Sequence, residues 1–305
     1  HEGRAEEQGA ILIAKRPDKT HLGGLWEFPG GKVEPDETLF DALKRELKEE
    51  LAIDVTATEP LIKIRHDYGD KVVLLDVHRV THFYGEPRGN EGQPIMWVAP
   101  SCLHEYEFPA ANLPIVTAIN LPQRLLITGD FINRRDFLAR TELALQKNIR
   151  MVQLRLKNPE MMSEVVAPVA ELCSRYSAKL TLNTSPQLFS EYLVSSVVGL
   201  HLNSVQLSSC HDRPVSNSIL LGASCHTQNE ILHAQTIGVD YICLSPVHAT
   251  NSHPGQVGIG WDRFSSLVER STIPVYALGG MTDADLAVAL ENGAQGIAAI
   301  SEWWN

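Results

Sequence analysis

The stretch Trp26-Glu-Phe-Pro-Gly-Gly-Lys32, followed by Asp36-Glu-Thr-Leu-Phe-Asp-Ala-Leu-Lys-Arg-Glu-Leu-Lys-Glu-Glu-Leu51, carries the strongest structural signal in this 305-residue chain. Its second part predicts a helix over 36–51. Pro35 and Asp36 mark the start, and acidic side chains fill the first turn, where the helix dipole favours them. Leu39, Leu43, Leu47 and Leu51 recur every fourth residue and give the helix one apolar face. Glu46, Glu49 and Glu50 fall within an arc of about 100°, so their side chains converge. A run such as Lys44-Arg-Glu-Leu-Lys-Glu-Glu50 is commonly a solvated charged face. Two features weigh against that reading: Lys44 faces Lys48 rather than a glutamate, and the glutamate arc borders the leucine stripe. Crowded carboxylates repel unless a cation sits between them, and hard divalent ions such as Mg²⁺ take oxygen ligands in this way. Arg45, four residues before Glu49, is placed to hold it by a charge-assisted pair. Upstream, Gly30-Gly31 permits a close backbone approach, useful where a main-chain carbonyl must reach an ion.

Working outward, Ala10-Ile-Leu-Ile-Ala14 and Lys71-Val-Val-Leu-Leu-Asp-Val77 are rich in aliphatic and β-branched residues and read as strands. Residues 84–94 read as a loop. Pro109, Pro114 and Pro122 bracket a boundary near residue 120, giving domains of 1–120 and 121–305. Beyond it, short apolar runs alternate with helical stretches. The runs are 125–129, 151–156, 180–183, 199–202, 220–224, 241–245, 274–279 and 296–301. Eight of them suggest a (β/α)8 barrel. An open doubly wound sheet has the same local pattern, but the count favours the barrel. The fold class expected is α/β in two domains.

Composition bounds the rest. The chain is 44% apolar and 21% charged, which excludes a disordered, collagen-like or coiled-coil protein. No apolar run is long enough for a membrane-spanning helix, and the stretch at 1–7 is too polar and acidic for a signal peptide. Five scattered cysteines without a Cys-x-x-Cys pair read as reduced thiols, so a cytoplasmic location without membrane partners is expected. The net charge is −11, most of it in 1–120. That disfavours stable nucleic-acid binding, which depends on neutralising phosphates. An acidic domain that handles a phosphorylated ligand needs cations, which again points to divalent metal.

The spacing Gly31, five residues, Glu37, seven residues, then Arg45-Glu-Leu-Lys-Glu-Glu-Leu-Ala-Ile53 resembles the Nudix box. Ala52 stands where that family usually has glycine, a mild departure, since alanine only disfavours left-handed backbone angles. The likeness narrows to the MutT branch. Gly85-Glu-Pro-Arg-Gly-Asn-Glu-Gly-Gln-Pro-Ile-Met-Trp97 is similar to it and places a further metal-binding glutamate at Glu91. Phe108-Pro-Ala-Ala-Asn-Leu-Pro114 resembles the base-reading segment, with Asn112 as the base-bonding asparagine. Arg16, His21 and Phe28 match other substrate-binding positions, and Lys71 stands where the branch has arginine. Read bottom-up, Asn112 also fits a turn residue, Arg16 a solvated strand end, and His21 and Glu91 plain loop residues. The branch begins with an apolar strand. Here only His1-Glu-Gly-Arg-Ala-Glu-Glu-Gln-Gly9 precedes Ala10–Ala14, so a missing or altered first strand is expected.

The resemblance implies an α/β/α sandwich with a mixed sheet. It implies hydrolysis of a nucleoside triphosphate, specifically 8-oxo-dGTP, to the monophosphate and pyrophosphate, with a role in sanitising oxidised nucleotides for DNA repair. Glu46, Glu49, Glu50 and Glu91, with the Gly31 carbonyl, would hold Mg²⁺, or Mn²⁺ in its place, and Arg45 would support them.

In the second domain, Gln153, Arg155 and Lys157 fall at period two on one expected strand and so share a face. Two cations and an amide there suit a phosphorylated ligand, while paired rim charges are the plainer reading. Gly279-Gly280 after the seventh run and Ile300-Ser301 after the eighth occupy the usual phosphate position of such barrels. These residues, together with 199–202, 222–227, 240–247 and 277–280, are similar to thiamine phosphate synthase and its relative TenI. The resemblance implies a phosphorylated thiazole or thiamine ligand. It also exposes losses: Thr184 and Gln206 stand where the synthase has magnesium-binding aspartates, and His253 lies near where it has lysine. Synthase activity is therefore not expected, and the barrel reads as degenerate. Trp303 and Trp304 are expected to pack the chain end. An alternative reading gives both domains to thiamine metabolism, with the hydrolase acting on a related pyrophosphate.

Overall fold

Thr38, rather than Asp36, starts the helix. In the computed structural model, which describes residues 2–4, 9–19, 22–67, 69, 72–193, 197–250 and 257–304, the Thr38 hydroxyl accepts the Asp41 N–H at 3.2 Å. Asp36 lies outside the helix in a left-handed turn with φ of 66°. A side-chain oxygen that satisfies an orphan N–H of the first turn decides the boundary more strongly than proline three residues earlier. The chain divides into two compact units, His1–Ile62 with Leu75–Asn120, and Leu121–Asn305 with Lys63–Leu74.

The stretch 1–120 runs β1 (Glu2–Arg4), β2 (Ile11–Lys15), β3 (Trp26–Glu27), α1 (Leu39–Leu51), β4 (Asp54–Asp67), β5 (Val72–Tyr84), β6 (Ile95–Val98) and α2 (Leu113–Asn120). Its strands form two three-stranded sheets, ordered β1-β5-β4 and β3-β2-β6. The pairs β1–β5, β2–β3 and β2–β6 are antiparallel. The segment ahead of Ala10 thus supplies a three-residue strand of polar sequence, with Glu2 opposite Tyr84. The leucine stripe of α1 packs as expected at its C-terminal half: Leu47 and Leu51 are buried with Ile53, Val55 and Phe83, and Leu43 packs partly against them. A second cluster of Ile13, Val98, Leu103 and Phe108 lies along β2 and β6.

The second unit is a closed barrel, ordered β10-β11-β12-β13-β14-β7-β8-β9. Its strands are β7 (Arg124–Ile127), β8 (Met151–Leu154), β9 (Lys179–Asn183), β10 (Val197–Leu202), β11 (Leu220–Cys225), β12 (Tyr241–Leu244), β13 (Val275–Leu278) and β14 (Gly296–Ala299). Between them lie α3 (Arg134–Gln146), α4 (Met162–Arg175), α5 (Pro186–Phe189), α6 (Ser204–Ser209), α7 (Gln228–Thr236), α8 (Gly260–Val268) and α9 (Leu286–Glu291), and α10 (Ser301–Trp304) follows β14. All eight strand pairs are parallel, and pairing of β14 with β7 closes the ring, which removes the open-sheet alternative. Inward-facing Leu125, Ile127, Met151, Tyr241, Cys243, Tyr276 and Ala298 fill the interior. The opposite faces of the strands pack beneath the helices, where Trp303 and Trp304 also join the core. Such a division is what period two requires of a packed barrel.

One expectation needs correction. The strand carrying Gln153 stops at Leu154, so Arg155 and Lys157 do not continue its face. The Thr128 hydroxyl accepts the Arg155 N–H and donates to the Arg155 carbonyl, both at 2.8 Å. A side chain just past the end of the neighbouring strand thus takes the backbone groups that a ladder would have used.

Candidate functional site

At the C-terminal half of α1 the acidic residues are held in different ways. Arg45 lies at the centre. Its Nε and Nη2 donate to the two Glu37 carboxylate oxygens at 2.9 Å each, Nη1 donates to Glu46 at 2.8 Å, and Nη2 also reaches the Lys32 carbonyl at 3.0 Å. The forked contact holds the Glu37 carboxyl below the usual carboxylate range. Glu49, the partner expected from helical spacing, is 3.9 Å from Arg45 and its side chain is 62% exposed. Arg45 therefore orders Glu37 and Glu46, and Glu49 faces outward, because Glu37 offers a bidentate match and Glu49 does not.

Glycine meets the helix next. A Cβ on Gly31 would lie 2.1 Å from the Glu46 carboxyl carbon, so only glycine leaves that carboxylate its place. Gly30 donates its N–H to Glu50 Oε2 at 3.1 Å. Glu50, like Glu37 and Glu46, is half-buried. Burial, followed by the carboxylates of Glu27, Glu46 and Glu91, pushes it up to about 7 against the pull of the Gly30 N–H.

Glu91 reaches this neighbourhood because its loop is laced to the end of α1. Asn90 N–H donates to the Glu50 carbonyl at 2.9 Å and Arg88 N–H to the Leu51 carbonyl at 3.1 Å. Asn90 Nδ2 bonds the Glu49 carbonyl and Gln93 Nε2 the Glu50 carbonyl, each at 2.9 Å. These are last-turn carbonyls that the helix itself cannot satisfy. Glu27, Asn90 and Gln93 are not marked by any local pattern, because their roles depend on contacts across 11 to 43 positions.

The residues expected to read the base are partly visible. Phe28 and Phe108 stack with ring centroids 5.2 Å apart. Asn112 closes a short 3-10 turn over Ala110–Asn112, is half-buried, and its side-chain amide has no hydrogen bond among the described residues. Arg16 is ion-paired with Glu27, which links this side to the acidic cluster. His21 and Lys71 lie outside the described residues.

Among the described residues, no three His, Cys, Asp or Glu side chains converge into a preformed metal cage. The fit to a cation rests on donor chemistry. Burial first, and then the charges of Glu27, Glu46 and Glu91, disfavour the ionised form of Glu50, a penalty that a cation would relieve. All are hard oxygen donors of the kind Mg²⁺ takes.

At the barrel, the C-terminal ends of the strands gather polar groups. Gln153 on β8 is 3% exposed, shares the inward face of Met151, and its Oε1 has no hydrogen-bond partner among the described residues. Asn183 donates Nδ2–H to the His201 carbonyl at 2.9 Å. His201 is fully buried, with Nδ1 3.2 Å from the Tyr241 hydroxyl and Nε2 3.0 Å from Ser224 Oγ. Burial, with a smaller push from the Arg155 charge, lowers its pKa to about 3, so it is a neutral imidazole. Arg155 makes no ion pair among the described residues, whereas Lys157 is paired with Asp130 at 2.7 Å on the exposed rim. Gly279 and Gly280 follow β13 directly with φ of 107° and 67°. A Cβ on Gly279 would lie 2.8 Å from Pro246 Cα. Ile300 follows the adjacent β14, and Ser301 opens α10. Gln206, at the position of a family aspartate, instead closes a capping box with Asn203 at the start of α6, and Thr184 is buried. His253 lies outside the described residues.

Comparison with known proteins agrees with both halves. Residues 4–118 match the NUDIX domain and residues 125–303 match thiamine monophosphate synthase. Over the first part the chain is 38% identical to a CTP pyrophosphohydrolase of Escherichia coli, across 37% of this chain and 84% of that protein. It is 44% identical to an 8-oxo-dGTP diphosphatase of Proteus vulgaris, across 28% and 78%. Over the second part it is 30% identical to a thiamine-phosphate synthase of Pediococcus pentosaceus, across 57% and 83%.

Proposed function

Because this chain belongs to the NUDIX and thiamine monophosphate synthase families, we propose a two-domain protein. Its residues 1–120 hydrolyse nucleoside triphosphates to monophosphate and pyrophosphate, with 8-oxo-dGTP as the preferred substrate. Its residues 121–305 bind a phosphorylated thiazole or thiamine without acting as a competent synthase. The observation that carries the first part is the Arg45 clamp, which aligns Glu46 against Gly31 on the same turn as Glu49 and Glu50. Glu46, Glu49, Glu50 and Glu91, with the Gly31 carbonyl, would hold Mg²⁺, or Mn²⁺ in its place. When bound, that ion supplies a Lewis acid for phosphoryl oxygens and a more acidic water.

The chain's own residues do the rest. Arg45 fixes the direction of Glu46. The 88–93 loop carries Glu91 to the helix end. Glu50, which burial and the neighbouring carboxylates push up while no cation is present, gains most from the charge of a bound ion. On the base side, Phe28 and Phe108 offer an aromatic surface, and the free amide of Asn112 offers both a donor and an acceptor to a nucleobase edge. Arg16, with His21 and Lys71, completes the substrate-binding set.

The test is steady-state hydrolysis by the full chain of 8-oxo-dGTP, dGTP, CTP and thiamine pyrophosphate with Mg²⁺. The expected result is preference for 8-oxo-dGTP, with kcat falling at least ~100-fold in Glu49→Gln. Preference for CTP would move the base assignment, and preference for thiamine pyrophosphate would favour the second reading. That second reading assigns both domains to one thiamine-related pathway, and the covalent fusion of a pyrophosphohydrolase domain to a thiamine-type barrel supports it.

For the barrel, the free charge of Arg155, the unpartnered Gln153 and the backbone at Gly279, Gly280, Ile300 and Ser301 support a phosphorylated ligand, with Lys157 as a rim cation. Loss of both family aspartates, one of them to a helix cap, supports the absence of synthase chemistry. Formation of thiamine phosphate by the full chain would overturn that part.

A further inference from the structure

A hydrogen-bonded chain crosses the barrel interior from Tyr241 through His201 to Ser224. Tyr241 is completely buried, so its O–H must find an acceptor inside the protein. His201 Nδ1 lies 3.2 Å away. Ser224, at the other end, is only half-buried and lies 3.0 Å from His201 Nε2. A neutral imidazole has one donor and one acceptor nitrogen, and the bond made by one nitrogen decides the state of the other. Two hydroxyls therefore compete for the single acceptor. The phenol is the stronger acid of the two and has no water to turn to, whereas the serine can donate outward. The Thr181 hydroxyl donates to the Val152 carbonyl at 3.5 Å.

We propose that Tyr241 sets the hydrogen-bond polarity of the barrel mouth. Its phenol donates to His201 Nδ1, the imidazole proton is held on Nε2, Nε2–H donates to Ser224 Oγ, and Ser224 is left to offer its own hydrogen to an acceptor atom of a ligand. This rests on the reading of the barrel mouth as a ligand site. Tyr241 is a positioning residue, since it acts through His201. The ring can cross to the histidine because β11 has glycine beneath it. A Cβ on Gly222 would lie 2.2 Å from Tyr241 Cζ and 2.6 Å from His201 Nδ1. Gln153 presents the complementary group, a buried carbonyl oxygen with no partner among the described residues. The ligand recognised here must bring an acceptor to Ser224 and a donor to Gln153.

The test reads the tautomer directly. The full chain is labelled with isotopic nitrogen in histidine, and the His201 signal is identified by its loss in His201→Gln. Two-bond proton–nitrogen spectra should show His201 as the neutral Nε2–H form between about pH 8 and about pH 5. Tyr241→Phe should move the proton toward Nδ1, and Ser224→Ala should not. Thiamine monophosphate, titrated calorimetrically, should bind about ten-fold more weakly to Tyr241→Phe, with no further loss on adding Ser224→Ala. A wild-type His201 that carries its proton on Nδ1 overturns the proposal without recourse to any variant, as does unchanged thiamine monophosphate affinity in a folded Tyr241→Phe protein. If the wild-type chain binds no thiamine monophosphate, the reading of the barrel as a thiamine-phosphate site fails, while the spectra still decide the relay.

Discussion

Ala52→Gly should stabilise the first unit. Ala52 ends α1 with φ of 60° and ψ of 26°, in the left-handed region, at the position where the Nudix family usually has glycine. An L-residue there costs roughly 1–2 kcal/mol from the clash of Cβ with the following carbonyl. Glycine removes that clash but loses more freedom on folding, roughly 0.4–1 kcal/mol. The half-buried methyl also contributes part of the roughly 0.8 kcal/mol that a fully buried methylene is worth. The backbone contacts do not involve the side chain: Ala52 N–H donates to the Lys48 carbonyl at 3.1 Å, and Gly85 backs onto the Ala52 carbonyl. The balance is a gain of about 0.5 kcal/mol, equivalent to a rise of roughly 2–4 °C in the melting of a domain this size. Two units need not melt together, so the assay is native-state hydrogen exchange at the amides of α1 in the full chain. Slower exchange at Leu47–Leu51, with kcat unchanged, is the expected outcome. Equal or faster exchange would refute the argument that left-handed strain is stored at this residue.

Gly31→Ala should disable hydrolysis about as severely as removing Glu46 itself, because the new methyl takes the space of the Glu46 carboxylate; near-wild-type turnover would show that Glu46 need not lie there. The raised pKa of Glu50 makes the metal-free first unit lose stability as pH rises from about 4.5 through about 7. A proton bound more tightly in the folded state favours folding only while it is present. Urea melts of the first unit's signals across that range, with and without Mg²⁺, should show the loss and its reversal by the ion; a flat profile without metal counts against the crowded-acid picture. In the barrel, Arg155→Ala should abolish binding of thiamine monophosphate, whereas Lys157→Ala, already tied to Asp130 on the rim, should weaken it less than ~3-fold. Calorimetric titration separates the two, and equal losses would place Lys157 on the ligand.

Much of this protein was legible in its chain. The Nudix spacing, the glutamate arc and the eight apolar runs are periodic or local signals, and periodicity follows from backbone geometry alone. The same sequence could not say that Asp36 turns out of the helix while Thr38 caps it, or that β8 stops before Arg155. Those boundaries depend on which side-chain oxygen reaches which N–H, and for Arg155 that oxygen is Thr128, 27 positions away. Nor could it show that Arg45 grips Glu37 and Glu46 more closely than Glu49, that Asn90 and Gln93 tie Glu91's loop to the end of α1, or that Gly222 opens the path from Tyr241 to His201. Residue type and spacing declare which chemistry is present. Only tertiary packing decides which charges and hydrogen bonds meet, because bond energies fall off over a few ångströms of space and take no account of distance along the chain.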